Sequence, residues 1–374
     1  MRFPEFSGEW KCTTIGNIGD IKNGPFGSVL HAEDYVENGI PIVTTEHFKT
    51  GLMPSDKFGI PQVSNEDYIR LKGYRLETND IVFSRVGSDI NAHVGIEQNG
   101  WLFSGRVLRV RPKYDIDSLF LHYALSTEAV KRDIRNRAVG QTMPSINTPI
   151  LSSTTIQLPK DLFEQKKVAH FLRLLDERII TQNKIIEKLQ SLIKGIAQHC
   201  IKESTSGNTY VKLGDICQIT TGKLDANAQV DNGIYPFFTC AEQPFKIDSF
   251  AFDTEALLIS GNGANLGYIN YYKGKFNAYQ RTYVLDLFSE NIQYIKWALK
   301  VLLPKRIAIE KSSSNTPYIV LSTLTDLRLP IPCKSKQSFI ANLMQSLERK
   351  LSNQIAQYDS YNYLKQYLLR QMFI

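Results

Sequence analysis

The side chains that could carry out chemistry are present in this sequence, but their spacing does not assemble a catalytic site. Asp161, Glu164 and Lys166 are the residue types of a metal-dependent nuclease. They fall within two turns at the start of a predicted helix, whereas a nuclease needs carboxylates that converge on a metal from separate strands. Asp161 can instead cap the helix, and Glu164 lies at the favourable end of its dipole. The six histidines are isolated, and none is paired with a Cys or Ser nucleophile. We predict no catalytic residue and no metal ligand.

Two further patterns come close to known chemistry. Residues 315–318, NTPY, differ by one residue from Asn-Pro-Pro-Tyr, a motif of adenine methylation. We interpret them as a loop, because no glycine-rich cofactor motif accompanies them. Gly261, Gly263 and Gly267 do not have the GxGxxG spacing or the strand-to-helix setting that would cradle a pyrophosphate. We interpret these three residues as turn glycines.

Composition indicates an ordinary globular protein. The chain has 374 residues, which leaves room for two or three domains, and 43% of them are hydrophobic. Its net charge of +7 tolerates a polyanionic partner without demanding one. Five scattered cysteines with no CxxC pair argue against a disulfide framework or a zinc site and predict a reducing cytoplasm. The N-terminal segment does not resemble a signal peptide, and no window reaches the ~18 apolar residues of a membrane span.

The elements that organise the chain are two long predicted helices. Residues 161–203 carry apolar side chains at helical spacing without a proline. Alternate steps of three and four residues trace one stripe: Val168, Leu172, Leu175, Ile179, Gln182, Ile186, Leu189, Ile193 and Ile196. Such a stripe is typical of a coiled-coil seam and needs a partner helix to cover it.

The partner is a second helix, predicted over residues 333–374. A shift of 172 positions maps the stripe onto a second one: Ile340, Met344, Leu347, Leu351, Gln354, Tyr358, Tyr361, Lys365 and Leu368. Gln182 and Gln354 interrupt the two stripes at the same step, near the midpoint of each helix. In antiparallel packing these two amides would meet at one level and fix the helix register. We predict an intramolecular antiparallel coiled coil.

The remainder of the chain is an internal repeat. Residues 15–24, IGNIGDIKNG, match residues 213–222, LGDICQITTG, and both predict a strand followed by a turn. The run DIVFSRVG that ends at Gly87 matches the run ALLISGNG that ends at Gly263. A further match pairs Arg106-Val107-Leu108 with Arg281-Thr282-Tyr283. The two halves therefore share a framework of strands.

Each half then continues with a short helix and a polar loop. The helices are predicted over residues 118–136, capped by Asp117, and over residues 290–303. The polar loops follow: 135–148 and 305–318. In the loops we match Pro144 with Pro317, since the spacing to the end of each copy is then most similar.

These matches define an α+β chain with two β-rich mixed domains, each followed by a long helix. The predicted bounds are 1–160 for the first domain, 161–203 for the first spacer helix, 204–332 for the second domain and 333–374 for the second spacer helix. A shared framework with dissimilar loops is what two modules that recognise different things would show.

In this order of segments the chain resembles the specificity subunit of type I restriction-modification enzymes. The resemblance rests on the two openings, the IVFSR-x-G strand that ends at Gly87 and the Leu-Pro before each long helix, repeated in the same order. It covers the whole chain. It implies two target recognition domains, each reading one half of a bipartite duplex DNA sequence, joined by two long antiparallel helices that set the gap.

The resemblance also implies partners. The subunit would be non-catalytic and hold no cofactor. It would bind two modification subunits, which carry S-adenosylmethionine and methylate adenine, and the complex could recruit two restriction subunits with translocase and nuclease activity. The second helix has Tyr358, Tyr361 and Lys365 where the first is aliphatic, which argues against equal binding of the two modification subunits.

Candidate DNA contacts are polar and basic residues in loops that flank the framework strands, because phosphate contacts position a protein and base-edge contacts specify the sequence. In the first domain they are Lys22, Asn23, Arg85, Asn91, His93, Arg106, Arg135, Arg137 and Gln141. In the second domain they are Lys223, Asn262, Asn265, Gln280, Arg281, Lys305, Arg306 and Lys311. For each of them a solvated surface role is the alternative.

Two other functions stay open at this point. One is a protein-binding scaffold that uses the coiled coil to space two interaction modules. Salt-sensitive binding to duplex DNA in the presence of a modification subunit would separate DNA recognition from this alternative. The other is a single-chain methyltransferase or nuclease, which the lack of a cofactor or metal motif disfavours.

Overall fold

The computed structural model describes residues 2–25, 32–140, 144–204, 209–310 and 318–373. The chain divides into two compact units. The first unit comprises Met1–Gln182 and Gln357–Ile374, and the second comprises Asn183–Ala356. Each unit therefore contains one β-rich domain together with half of each long helix.

The first unit is built from short strands and helices. Its strands are β1 Lys11–Thr14, β2 Gly19–Asn23, β3 Tyr35–Val36, β4 Ile40–Val43, β5 Gln62–Val63, β6 Ile81–Ser84, β7 Asn91–His93, β8 Leu102–Phe103, β9 Val107–Pro112 and β10 Thr155–Leu158. Its helices are α1 Ile15–Ile18, α2 Asn65–Arg70, α3 Ser118–Leu125, α4 Glu128–Arg137, α5 Thr148–Ser153 and the first half of α6, Leu162–Glu203. The described strands form two four-stranded sheets, β2-β9-β6-β7 and β3-β5-β4-β8, and β1 pairs with β10.

The sheet β2-β9-β6-β7 is the centre of the first unit. All four residues of β6 are buried, as expected for a continuous apolar run that is covered on both faces. On one face, Phe83 shares a core with Phe120 of α3 and Leu172 of α6. On the other face, Val82 packs with Phe103. The sheet, α3 and the long helix thus share one hydrophobic core.

The second unit has longer strands. They are β11 Thr209–Lys212, β12 Gln218–Thr221, β13 Tyr235–Phe238, β14 Phe245–Ile247, β15 Phe252–Ser260, β16 Ile269–Ala278, β17 Thr282–Asp286 and β18 Arg328–Ile331. The helices are α7 Ile292–Glu310, α8 Leu321–Thr325 and the first part of α9, Lys334–Met372. Six strands form one sheet in the order β12-β17-β15-β16-β13-β14, and β11 pairs with β18.

The repeat predicted from the sequence is confirmed by the strand order. The run β2-β9-β6 of the first unit corresponds to the run β12-β17-β15 of the second. Ser84 at the end of β6 lies opposite Val107, and Ser260 at the end of β15 lies opposite Thr282. The matched sequence segments thus occupy matched positions in the two sheets.

The short helices differ from the predicted ranges. The predicted helix over 118–136 is broken between α3 and α4, where the Thr127 hydroxyl donates to the Ala124 carbonyl at 2.8 Å. Helix α7 continues past Pro304 to Glu310. Residues 135–137 and 305–310, which the composition alone assigned to polar loops, are therefore helical.

The stripes of the two long helices are buried or half-buried at every predicted position. In the first unit Asp176 contacts Lys365 at 2.6 Å, and Arg178 contacts the Tyr361 hydroxyl at 3.4 Å. Residue numbers rise along α6 as they fall along α9, so the two halves are antiparallel. In the second unit Lys336, near the start of α9, donates to the carbonyl of Glu203, the last residue of α6, at 3.1 Å.

The predicted α+β class, with β-rich domains on antiparallel helix pairs, is confirmed. None of the helices in the described part of the chain is apolar over a length that could cross a membrane.

Candidate nucleic-acid interface

In the first unit three loops meet at one end of the central sheet. Strand β2 ends at Asn23, opposite Leu108, and β6 ends opposite the first residue of β9. The Arg85 N–H then donates to the Arg106 carbonyl at 2.9 Å. We call this end of the sheet, with Lys22, Asn23, Arg85 and Arg106, the first loop edge.

The second unit repeats this arrangement. The Gly261 N–H donates to the Arg281 carbonyl at 2.8 Å, and the Gln280 N–H donates to the Leu224 carbonyl at 2.9 Å. The residues that meet here form what we call the second loop edge: Lys223, Asn262, Asn265, Gln280 and Arg281. The two edges are therefore made by equivalent parts of the repeat.

Glycine permits the close approach of the loops at both edges. A Cβ atom on Gly24 would lie 1.9 Å from the Ser104 carbonyl oxygen, and one on Gly222 would lie 1.9 Å from the Ala278 carbonyl oxygen. No larger residue fits without a backbone shift, since real Cβ atoms do not approach a carbonyl that closely. Each opening motif therefore ends in glycine because the backbone of another segment passes too close for a side chain.

The polar loops dock on the same edges. The Ile146 N–H donates to the Arg85 carbonyl at 2.7 Å, and the Ile319 N–H donates to the Gly261 carbonyl at 2.8 Å. Ile146 and Ile319 thus hold equivalent places, which is the register that matches Pro144 with Pro317. Residues 311–317, including Lys311 and most of the NTPY segment, lie outside the described residues, as does Gln141.

Three side chains of the first loop edge are basic, and each of them is at least partly accessible. Arg106 is exposed, and Lys22 is half-buried with its ammonium 5.0 Å from the centre of the Tyr74 ring. Arg85 is also half-buried, and one of its guanidinium nitrogens donates to the Gly105 carbonyl at 3.1 Å. The Asn23 side-chain oxygen is buried and has no hydrogen-bond partner among the described residues. The side chains of Lys22, Arg85 and Arg106 thus give the first loop edge positive charge.

At the second loop edge a thiol and two amides form a network. The Cys240 thiol donates to the Asn262 side-chain oxygen at 3.0 Å, and the Asn265 amide donates to the Cys240 carbonyl at 3.0 Å. Arg281 and Gln280 are exposed beside this network. The network holds Asn262 and Asn265 in defined orientations, which suits side chains that present hydrogen-bonding groups to a ligand.

Asn91 and His93 lie inside the first unit rather than at its loop edge. Asn91 is 2% exposed, donates to the Ser126 hydroxyl at 3.1 Å and contacts His122 at 2.6 Å. His93 contacts the Ser118 hydroxyl at 2.9 Å, and burial lowers its pKa. Burial also lowers the pKa of His122 to about 3, so this ring is neutral at physiological pH. These side chains join β7 to α3, and a role of Asn91 and His93 in DNA contact stays a prediction.

Arg135 and Arg137 are on α4 and are held by internal partners. Arg137 donates to the Ile150 carbonyl at 3.1 Å and to the Ser153 and Thr154 hydroxyls, both at 2.7 Å. It also forms an ion pair with Asp133. Arg135 forms ion pairs with two acidic residues, Asp89 and Glu128. These contacts assign Arg137 the structural task of joining α4 to α5.

Lys305 and Arg306 are on the last turns of α7. Lys305 is exposed, and Arg306 forms an ion pair with Glu310 at 2.8 Å. Ile307, on the same part of α7, faces Gly267 in the loop after β15 so closely that a Cβ atom there would lie 2.7 Å from its side chain. This end of α7 therefore approaches the second loop edge, although its residues are on a helix rather than in a loop.

The family of the chain follows from this duplicated arrangement together with the sequence comparison. Residues 7–191 and residues 205–358 each match the family described as the type I restriction modification DNA specificity domain. The chain belongs to this family. Two DNA specificity domains in one chain fit the recognition of a two-part DNA target, and the resemblance noted from the sequence is confirmed.

Individual relatives carry the same description. The chain is 44% identical over 137 residues to the type I restriction enzyme EcoDI specificity subunit of Escherichia coli, an alignment that covers 37% of this chain and 30% of that subunit. It is 23% identical over 397 residues to the MjaVIII specificity subunit of Methanocaldococcus jannaschii, covering 93% of this chain and 87% of that one. The crystal structure of the type I system S subunit from M. genitalium has the same fold, with a TM-score of 0.68, 18% identity and coverage of 100% of this chain and 99% of that chain.

Two glutamines that the sequence analysis passed over join each specificity domain to its long helix. Gln165 on α6 and Gln337 on α9 are each 1% exposed. Gln165 accepts from the Asp117 N–H at 2.9 Å, and Gln337 accepts from the Asn291 N–H at 3.0 Å. Gln165 and Gln337 are 172 positions apart, which is the shift that maps the first long helix onto the second. A comparison of the two helices at this shift could therefore have identified them from the sequence.

The start of α6 makes more contacts within the protein than the sequence predicted. Asp161 accepts from the Phe163 N–H at 2.8 Å, which agrees with a capping role. Glu164 is 2% exposed and binds Arg2 at 2.6 Å and the Trp10 ring nitrogen at 3.0 Å. Its main contact is therefore with the N-terminal segment.

Gln182 has a partner that the sequence analysis did not name. It is 3% exposed, and its amide donates to the Gln357 side-chain oxygen at 3.5 Å. Gln357 is three residues beyond Gln354 and is exposed. The pairing of Gln182 with Gln354 as a register device stays a prediction.

Proposed function

We propose that this chain is the DNA-specificity subunit of a type I restriction-modification system. Each loop edge reads one half of a bipartite duplex DNA target, and the paired long helices set the gap between the halves. Cationic and amide side chains in loops are suited to this task, since cations neutralise phosphates and amides read base edges.

One observation carries the proposal. The same three chain segments converge at the same end of the sheet in both units, and the residue that crosses there is Arg106 in one unit and Arg281 in the other. The side chains at equivalent positions differ between the edges: Lys22 and Asn23 correspond to Thr220 and Thr221, and Asn262 corresponds to Val86. Equivalent positions with side chains of different chemistry support the view that the two domains recognise different half-sites.

The partners follow from family membership. We propose that the helices dock two modification subunits, which hold S-adenosylmethionine and transfer its methyl group to adenine, and that the assembly can recruit restriction subunits. This chain itself holds no cofactor and performs no catalysis. We place it in the cytoplasm, where thiols such as its five cysteines stay reduced.

The first test is a map of methylated adenines in the source genome, before and after deletion of this gene. We expect one bipartite motif to disappear while other methylation persists. A genome whose methylation is unchanged would contradict the proposal and would favour a protein-binding scaffold.

An exchange of domains tests the division of labour. Residues 1–160 would be replaced by the corresponding domain of a relative with a different target, and the methylation motif would be mapped again. We expect one half-site to change and the other to stay. A change in both half-sites would contradict independent reading.

A further inference from the structure

The two buried glutamines share two matching hydrogen bonds. Besides accepting from Asp117, Gln165 donates to the Pro159 carbonyl at 3.0 Å. Besides accepting from Asn291, Gln337 donates to the Pro332 carbonyl at 2.9 Å and to the Glu290 carboxylate at 2.6 Å. Each amide therefore binds the start of a domain helix on one side and the backbone that leads into the long helix on the other.

The backbone groups that the glutamines bind are the starts of α3 and α7. Asp117 caps α3 by accepting from the Phe120 N–H at 2.8 Å. Asn291 caps α7 by accepting from the Tyr294 N–H at 3.1 Å. Since α3 and α7 pack on the central sheet of their own unit, a bond to their caps is a bond to the whole domain.

A second polar attachment lies further along each long helix. In the first unit the Tyr123 hydroxyl of α3 donates to Asp176 at 2.8 Å. In the second unit Lys296 of α7 binds Glu348 at 2.8 Å. Each carboxylate is eleven residues beyond its glutamine, which is about 16 Å at the rise of an α-helix. Two separated points fix a direction as well as a position.

Buried polar bonds restrict orientation in a way that apolar packing does not. Hydrophobic contact is non-directional, so a domain held by it alone can shift while the buried area stays nearly constant. A buried amide is satisfied in one arrangement only, and an arrangement that leaves it unpaired is penalised. The glutamine and carboxylate of each unit thus select one orientation of the domain on its helices.

We propose that Gln165 and Gln337 are positioning residues for DNA spacing: they hold each recognition domain at a fixed angle on its own helices and so restrict the gap length that the complex accepts. The inference rests on the proposed reading of a bipartite target. One added base pair moves a half-site by ~3.4 Å and turns it by ~35°. A domain that can both shift by a few ångströms and tilt on its helices would therefore come closer to the neighbouring spacing.

The test uses the complete complex with its modification subunits and duplexes that carry the mapped half-sites. The half-sites are separated by the native gap, or by one base pair fewer or more, and initial methylation rates are compared. For Gln337→Leu, which removes all the hydrogen bonds of this side chain, we expect the preference for the native gap to fall by about tenfold, with half-site base preferences unchanged. The matched control is Gln345→Leu, an exposed glutamine of the same helix, which should keep the preference.

Equal slowing on all three gaps, with the preference intact, would reduce Gln337 to a structural residue and overturn the inference. If Gln337→Leu does not fold, Gln337→Met takes its place, because it keeps the length of the side chain, removes its donor and its acceptor, and adds no charge beside Glu290. Gln165→Leu in the other unit should relax the gap in the same way. An unchanged preference in both variants would also overturn it. A wild-type complex that ignores the half-sites altogether would instead refute the proposed function.

Discussion

Lys365 on α9 forms an ion pair with Asp176 on α6, with 2.6 Å between the charged atoms. The second oxygen of Asp176 accepts from the Tyr123 hydroxyl, whose pKa is raised by burial, so that it stays a donor. At the equivalent position of the second unit, Glu348 takes its cations from Lys296 and Lys300 of α7. The repeat keeps the carboxylate and changes the source of the cation, which explains why the second stripe has a lysine at position 365.

The first prediction concerns this ion pair. Lys365→Met should lower the free energy of unfolding by about 1–3 kcal/mol, because it leaves a mostly buried carboxylate without its cation. The measurement is denaturant unfolding. Lys350→Met, an exposed lysine of α9, is the control and should have little effect. Adding Asp176→Asn to Lys365→Met should recover part of the loss, and a double variant as unstable as the sum of both single variants would contradict the pairing.

The second prediction concerns the loop edges. Arg106→Ala should weaken DNA binding by about 1–3 kcal/mol at the first half-site if the residue reads a base edge, or flatten the salt slope by about one unit if it binds a phosphate. Lys113→Ala removes the same charge at the opposite end of β9 and serves as the control. Binding should be measured at several salt concentrations. Equal effects of both variants would mean that only net charge matters.

The third prediction concerns Arg137. Since its guanidinium binds Ile150, Ser153, Thr154 and Asp133, Arg137→Ala should lower the free energy of unfolding by about 1–3 kcal/mol. The folded variant should bind DNA as wild type does. Arg132→Ala, at an exposed position of the same helix, should change neither stability nor binding. A selective loss of binding with stability intact would return Arg137 to the interface.

The fourth prediction concerns pH. Burial lowers the pKa of His122 from 6.5 to about 3, so the unfolded chain takes up a proton in this range and the folded chain does not. The contribution of His122 to the free energy of unfolding is therefore complete above pH 6.5 and decreases as the pH falls from 6.5 towards 3. The slope from this one residue should approach about 1.4 kcal/mol per pH unit. His122→Gln should remove that part of the slope in unfolding titrations, and an unchanged slope would contradict it.

Much of the architecture could be predicted because its signals are periodic and occur twice. The apolar stripes of the long helices follow from spacing alone, since a helix with one apolar face must cover it. The match of Arg106 with Arg281 placed both at the same end of equivalent sheets. Where the signal was only composition, as at residues 305–310, the prediction of a loop was wrong, since α7 continues to Glu310.

The sequence by itself determined the duplicated framework and the two helices, because hydrophobic periodicity is local and survives any detail of packing. Only the tertiary structure determined which groups the individual polar side chains bind. Asn91 and Arg137 are residue types that often contact DNA, and Gln165 and Gln337 are a residue type common at exposed helix positions. All four instead bind groups within the protein. The physical reason is that a polar side chain pairs with whatever group the fold brings within about 3 Å of it, and such neighbours are distant in sequence.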